Sequence, residues 1–205
     1  MGEPNERLQK QMAFILEADK EKFIQRQTYL TGGERKENDA EHAWHLALMT
    51  LLLSEYANRE IDVLRTISMV LIHDIVEIDA GDTYAYDPVG KQTQRQRETK
   101  AADRLFGLLP EDQCRKLRDL WEEFEAEQTP EAAFAHAMDN LQPTMLNAAA
   151  GGKSWVEHAT RLSSILSRHE GTKRGSETLW EFCRAQYLEP NLANGKITDD
   201  CNGLD

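Results

Sequence analysis

His73 and Asp74 stand side by side in VLIHDIVEI, the most hydrophobic stretch of the chain, and Glu77 follows one helical turn after His73. Burying a carboxylate and an imidazole together is costly unless each is paired or bound to a metal. At helical spacing His73, Asp74 and Glu77 project from one broad face. A lone histidine on an apolar face is more often a structural group than a ligand. Three ionisable residues within five positions of a core helix point instead to a functional cluster. His42 opens an equally apolar segment, EHAWHLALMTLLL, and His45 lies one turn later, so either or both can face the same point. Asp139 interrupts the apolar periodicity of AFAHAMDNLQPTML, with His136 and Asn140 beside it. Together these segments offer nitrogen and oxygen donors from three helices. Such a mixed imidazole–carboxylate set suits a divalent transition metal and leaves positions open for water and substrate.

The elements that must position these residues read as helix after helix, and strand signals are almost absent. Leu8, Met12, Ile15, Leu16, Ala18 and Phe23 predict a helix over 5–27, followed by a turn at Thr31-Gly32-Gly33. Asn38, with Glu41 three residues on, predicts a capped helix start that carries His42 and runs to Ala57. The segment 61–80 is apolar nearly all round and predicts a central helix, stopped by Gly81. A loop over 82–92 follows, then helices at 93–109, 111–127, 130–149, 153–169 and 175–187, with a kink or break at Pro143. No repeat or linker divides the chain. The expectation is one all-α, single-domain helical bundle over 1–188 with a polar, loosely attached tail over 189–205.

Composition bounds the partners. The 205 residues carry a formal charge of −12, which repels the phosphate backbone that dominates polymeric nucleic-acid binding. Anionic membranes are disfavoured for the same reason, whereas a small phosphorylated substrate needs only a few local cations. No apolar run is long enough for a transmembrane helix, and MGEPNERLQKQ lacks the apolar region of a secretion signal. The odd, dispersed Cys114, Cys183 and Cys201 read as reduced thiols, so a cytoplasmic location is expected. The stretch Asn147–Ser154 mimics a phosphate loop, but Asn147 replaces its first glycine and a helix precedes it.

The order His42, His73-Asp74, Asp139 on a helical chain resembles the HD-domain metal-dependent phosphohydrolases. The strings Glu-Asn-x-Ala-Glu-His (37–42), His-Asp-x-x-Glu (73–77) and Gly-Asp-Thr (81–83) are similar to the 5′-deoxynucleotidase branch. Ile78 departs from the His-Asp-x-x-Glu-Asp pattern of alarmone hydrolases, which argues against that branch. The resemblance implies that His42, His73, Asp74 and Asp139 hold one divalent ion (Mn, Co, Mg, Fe, Ni or Zn). It implies that Glu77 orients or activates the attacking water, that Asp82 is catalytic alongside it and with Thr83 contacts the nucleotide, and that Arg26, or Arg35 in its place, holds the phosphate. The implied activity is hydrolysis of nucleoside 5′-monophosphates of the ribose or deoxyribose series by a homodimer. Alternatives are another phosphodiesterase or nucleotide pyrophosphohydrolase of the superfamily, or a non-catalytic, metal-stabilised nucleotide-binding module.

Overall fold

The computed structural model describes residues 4–82 and 91–201. The first helix, α1 (Pro4–Ala18), does not run on to residue 27 as its periodicity suggests. It tightens into a 3-10 turn at Asp19–Phe23, and the chain then extends as β1 (Gln25–Tyr29), antiparallel to β2 (Lys36–Asn38). The turn between them uses Gly33 at φ +70°, a conformation that favours glycine. This hairpin escapes pattern reading because its strands are short and polar, and their ladder pairs Gln25 with Asn38 and Tyr29 with Lys36 across the turn. Its consequence is that Arg26 sits on a strand.

α2 (Asp39–Leu53) starts where expected. The Glu41 N–H donates to the Asn38 side chain at 2.9 Å, and Glu41 accepts from the Asn38 N–H at 3.1 Å. α3 (Val63–Ile72) is capped by Asp62, whose carboxylate accepts from the Arg65 N–H. Its face is less central than its composition implies: Met69 and Val70 are fully buried, but Leu64 is 74% exposed. At His73 the α-helix tightens into a 3-10 turn (His73–Val76) before a last turn, α4 (Glu77–Ala80), stopped by Gly81 at φ +76°.

The remaining helices are α5 (Lys91–Phe106), α6 (Glu111–Ala126), α7 (Pro130–Ala149), α8 (Lys153–Glu157), α9 (Leu162–Gly175), α10 (Glu177–Cys183) and α11 (Glu189–Ala193). α7 matches its expected limits and continues unbroken past Pro143. The single helix expected over 153–169 is instead two, α8 and α9, parted at 158–161 where Ala159 takes φ +46°. Gly171 lies inside α9 rather than ending it.

The chain is an all-α single domain with that one small hairpin. Its main core gathers on α7, where Phe134, Ala135, Ala137 and Met138 are fully enclosed by α2, α3, α5 and α6, with Leu46, Met69, Leu105 and Trp121. α9 lies close against α7: a Cβ on Gly175 would stand 2.2 Å from the Ala133 carbonyl oxygen. A second core joins Trp155, Leu162, Ile165, Leu188 and Ile197. The segment expected as a loose tail is therefore anchored. Ile197 is buried, and the Leu162 N–H donates to Thr198 while the Thr198 N–H donates to Thr160. Ile197, with the partly buried Leu192, does this anchoring, too few apolar residues to show as periodicity.

His169 joins α9 to α7 in a closed network. The Thr144 hydroxyl donates to the Asn140 carbonyl and accepts from His169 Nε2, and the Thr172 hydroxyl, 2.9 Å from Nδ1, completes it. Burial, with Arg168 adding to it, lowers this imidazole from 6.5 to about 3. The unfolded chain therefore binds a proton that the folded chain refuses between those values. The contribution of this group to stability is full above pH 6.5 and falls on acidification toward pH 3, by up to about 1.4 kcal/mol per pH unit. Denaturant melts of His169→Gln should show a shallower acid slope than wild type over that window; equal slopes would contradict this role.

Candidate functional site

Two histidines from different helices point at one place because each is held by its other nitrogen. His42, on the first turn of α2, is fully buried, and its Nδ1 donates to Gln142 Oε1 at 3.0 Å. The Gln142 amide in turn donates to Glu37 Oε2 at 2.7 Å. His73 Nδ1 donates to the Val70 carbonyl at 2.9 Å. In both rings this leaves Nε2 as the inward-facing atom. His42 Nε2 lies 3.0 Å from Asp139 Oδ1 and 3.9 Å from Asp74 Oδ2. His73 Nε2 lies 3.1 Å from Asp74 Oδ2 and 3.9 Å from Asp139 Oδ1, and is buried with no hydrogen-bond partner among the described residues.

Two unprotonated ring nitrogens facing two carboxylates repel unless a cation stands among them. Tethered Nδ1 and inward Nε2 is the arrangement of metal-ligating histidines. The donor atoms of His42, His73 and Asp139 all lie within 4.8 Å of one another, with Asp74 in contact. The residues thus fit a divalent ion. Without one, a proton serves. Burial alone would lower His73, yet Asp74 beside it raises the imidazole to about 9. Asp139 is held well below the carboxylate range, its burial outweighed by Arg168 and the two histidines.

A second acidic group abuts the first. Carboxylate oxygens of Asp39, Asp74 and Glu77 also lie within 4.8 Å of one another. Burial, then the charges of Asp74 and Asp39, pushes Glu77 well above its usual range. Asp39 rises to about 7 and Glu21 to about 8 by burial and the same carboxylates. Arg26 reaches into this group from β1, donating to Asp74 Oδ2 at 2.6 Å and Asp39 Oδ1 at 3.2 Å, with Glu37 3.7 Å from its Nε.

Arg26, His73, Asp74, Glu77, Asp82 and Asp139 line a cleft of about 480 Å³. That volume suits a small molecule of nucleotide size. Asp82 follows Gly81 in this lining, its carboxyl raised by burial. Of the other residues singled out in the sequence, Arg35 pairs with Glu41 on the exterior, away from the cleft lining. His45 faces the Gln142 amide at 3.3 Å and is outside the donor group. His136 stacks on Phe124, and its Nε2 lies 2.9 Å from that residue's carbonyl oxygen. Thr83 lies outside the described residues.

Sequence reasoning missed Asp39, Glu37, Gln142 and Arg168. Asp39 and Gln142 had a faint signal, each three residues from an expected donor. Arg168 had none, because it reaches the site from α9, with Nη2 3.3 Å from Asp139 Oδ2.

The HD-domain family model matches residues 18–180. A solved structure from Magnetospirillum magnetotacticum, a predicted metal-dependent phosphohydrolase, is 44% identical, covering 96% of this chain and 98% of that one at a TM-score of 0.91. The 5′-deoxynucleotidase HDDC2 of Xenopus laevis is 31% identical over 78% of this chain and 77% of its own. The bovine protein of that name is 32% identical, and there the match spans about half of each chain, 53% of this one and 52% of the relative. With the family model matched over most of its length, and its helices shared end to end with a solved relative, the chain belongs to the HD-domain family.

Proposed function

We propose that the chain is a divalent-metal-dependent phosphohydrolase that removes phosphate from nucleoside 5′-monophosphates, deoxyribonucleotides included. The observation that carries this reading is the pair of tethered imidazoles, with Nε2 of each facing Asp74 and Asp139, beside a cleft that Arg26 enters. Relatives named 5′-deoxynucleotidase and metal-dependent phosphohydrolase support the substrate class and the reaction. His42, His73, Asp74 and Asp139 would hold the ion, be it Mn²⁺, Co²⁺, Mg²⁺, Fe²⁺, Ni²⁺ or Zn²⁺. When bound, such an ion acidifies water toward neutrality and neutralises phosphate charge.

The chain's own residues supply the rest. Glu77 Oε2 is buried without a hydrogen-bond partner among the described residues, so it can take the attacking water's proton. Its raised basicity suits that task, since a carboxyl held above the usual range is a stronger proton acceptor. A purely structural metal would leave this carboxylate without purpose, which weighs against a non-catalytic module. Arg26 offers donors to the phosphate, Asp82 lines the cleft where the nucleotide would lie, and the resemblance alone adds Thr83 to the nucleotide contacts. The charge of −12 keeps polymeric nucleic acid out of the substrate class.

We also place the protein in the cytoplasm and assign it a second copy of itself as partner. All three cysteines are free, and no described helix is long and apolar enough to cross a membrane. Leu8, Met12, Ile15 and Leu16 on α1 are exposed, as are Trp44, Leu48, Leu51 and Leu52 on α2. Each set recurs at i, i+4, i+7 and i+8, an apolar stripe that a second copy would cover.

Phosphate release should be found with nucleoside 5′-monophosphates once Mn²⁺, Co²⁺ or Mg²⁺ is added; turnover confined to phosphodiesters or triphosphates would redirect the assignment. His73→Ala and Asp74→Ala should lose metal and activity together, as read by elemental analysis, while His45→Ala keeps its metal. Full metal occupancy in either of the first two would remove those residues from the ligand set. Glu77→Ala should retain metal and nucleotide affinity while kcat drops roughly 10²–10⁴-fold. Arg26→Ala should weaken nucleotide binding as well as turnover, because phosphate charge exists in the ground state too. Calorimetry and steady-state rates separate the two. Light scattering should give twice the 23.4 kDa protomer mass at micromolar concentration, and a value near 23 kDa would reject the dimer.

A further inference from the structure

The cleft is strongly acidic, and a phosphate dianion entering it meets Asp74, Glu77, Asp82, Glu125, Glu127 and Asp139. Among the described residues, three arginines line the same cleft: Arg26, Arg168 and Arg174. They are not equally committed. Arg26 is engaged by Asp74 and Asp39, with Glu37 close by, and its side chain is 12% exposed. Arg174 has one ion pair among the described residues, with Glu127 outside the donor group, and its side chain is 62% exposed. Arg168 has one ion pair among the described residues, Nη2 to Asp139 Oδ2 at 3.3 Å, and its side chain is 24% exposed. A guanidinium carries five N–H donors, so most of this fork remains available.

The fold delivers Arg168 deliberately to this spot. Two consecutive residues of α7 hold it: the Asn140 amide donates to the Arg168 carbonyl at 3.2 Å, while Asp139 takes the guanidinium. The Gly175–Ala133 contact brings α9 close enough for both. Asp139 is also the residue whose other oxygen faces His42 Nε2 at 3.0 Å. One carboxylate therefore joins Arg168 to the donor group, and anything held by the remaining guanidinium donors lies beside that group. The charge of Arg168 is felt at Asp82 as well, another residue of the cleft lining.

We propose that Arg168 grips the phosphate of the substrate, donating to its non-bridging oxygens from α9 while Arg26 acts from β1. The inference rests on the phosphohydrolase reading and names a second cation of that site. Arginine suits the role because its planar fork matches two phosphate oxygens at once. Asp139 keeps the fork aimed before substrate arrives, so little ordering remains at binding.

The test uses metal-loaded protein, with inorganic phosphate as the titrant in calorimetry and nucleoside monophosphates in rate assays. Arg168→Gln should weaken phosphate binding on the order of 10- to 100-fold, the range of a charge-assisted hydrogen bond, and raise KM in parallel. Metal content, the thermal melt and affinity for the unphosphorylated nucleoside should match wild type. Arg168→Lys, which keeps the charge and loses the fork, should recover part of the loss. Phosphate affinity unchanged in Arg168→Gln overturns the proposal. So does lost metal in that variant with normal phosphate affinity restored at saturating metal, which would make Arg168 a prop for Asp139. A wild type that releases phosphate from no nucleoside monophosphate would sink the phosphohydrolase reading, and the phosphate titration would still decide Arg168.

Discussion

The hydrogen bond from each imidazole Nδ1 governs this site. His42 donates to Gln142 and His73 to the Val70 carbonyl, so both rings are fixed with Nε2 inward, against Asp74 and Asp139. Those four groups could not be packed together without a cation or a proton to reconcile them. Every neighbouring element answers that demand. Gln142 is itself held by Glu37, Asp74 is gripped by Arg26, and Asp139 is paired with Arg168. The partners come from a strand, a helix start and two packed helices, and they leave a surplus of buried carboxylate, with Glu77 Oε2 and Asp39 Oδ2 unpartnered among the described residues.

The backbone takes part in that arrangement. A regular helix through 63–80 would carry His73, Asp74 and Glu77 past the site at 100° per residue. Instead the chain narrows to a 3-10 turn at His73–Val76, which changes the angular spacing where the cluster occurs, before α4 closes on Gly81. Glu77 begins α4, next to Asp39 and Asp74 rather than bonded to either imidazole. That separation from the donor set is what the role proposed for Glu77, taking a proton from water, needs. The hairpin has a comparable purpose: β1 carries Arg26 toward Asp74 while β2 leads directly into the cap of α2 and so to His42.

The protein is anionic overall and its cleft is lined with carboxylates, yet the substrate proposed for it is an anion. The resolution lies in distribution. Most surface arginines are spent in ion pairs with nearby carboxylates, such as Arg7 with Asp112 and Arg118 with Glu122. Such exposed pairs contribute little stability. The guanidinium of Arg168 also has one ion pair among the described residues, but that pair places it where the donor group is, so on the proposed reading local charge holds a phosphate that the global field repels.

The amino-acid sequence alone determined the elements whose cause is local. Asn38 and Glu41 mark the start of α2 because a capping box is made by neighbours in the chain. α7 matched its expected limits because Thr129 and Pro130 form a helix start by themselves. The cluster His73, Asp74, Glu77 was legible because charge inside an apolar helix is anomalous wherever it occurs, and the family resemblance followed from its order with His42 and Asp139. Tertiary structure decided what depends on distant partners. β1 exists only against β2, and Ile197 is buried only because α8 and α9 part to receive it. Asp39 and Arg168 look like ordinary polar residues at a helix start and on a helix face. Only the packing of α2 and α9 against α7 turns them toward Asp74 and Asp139, because the electrostatic demand they meet is created by residues far away in the chain.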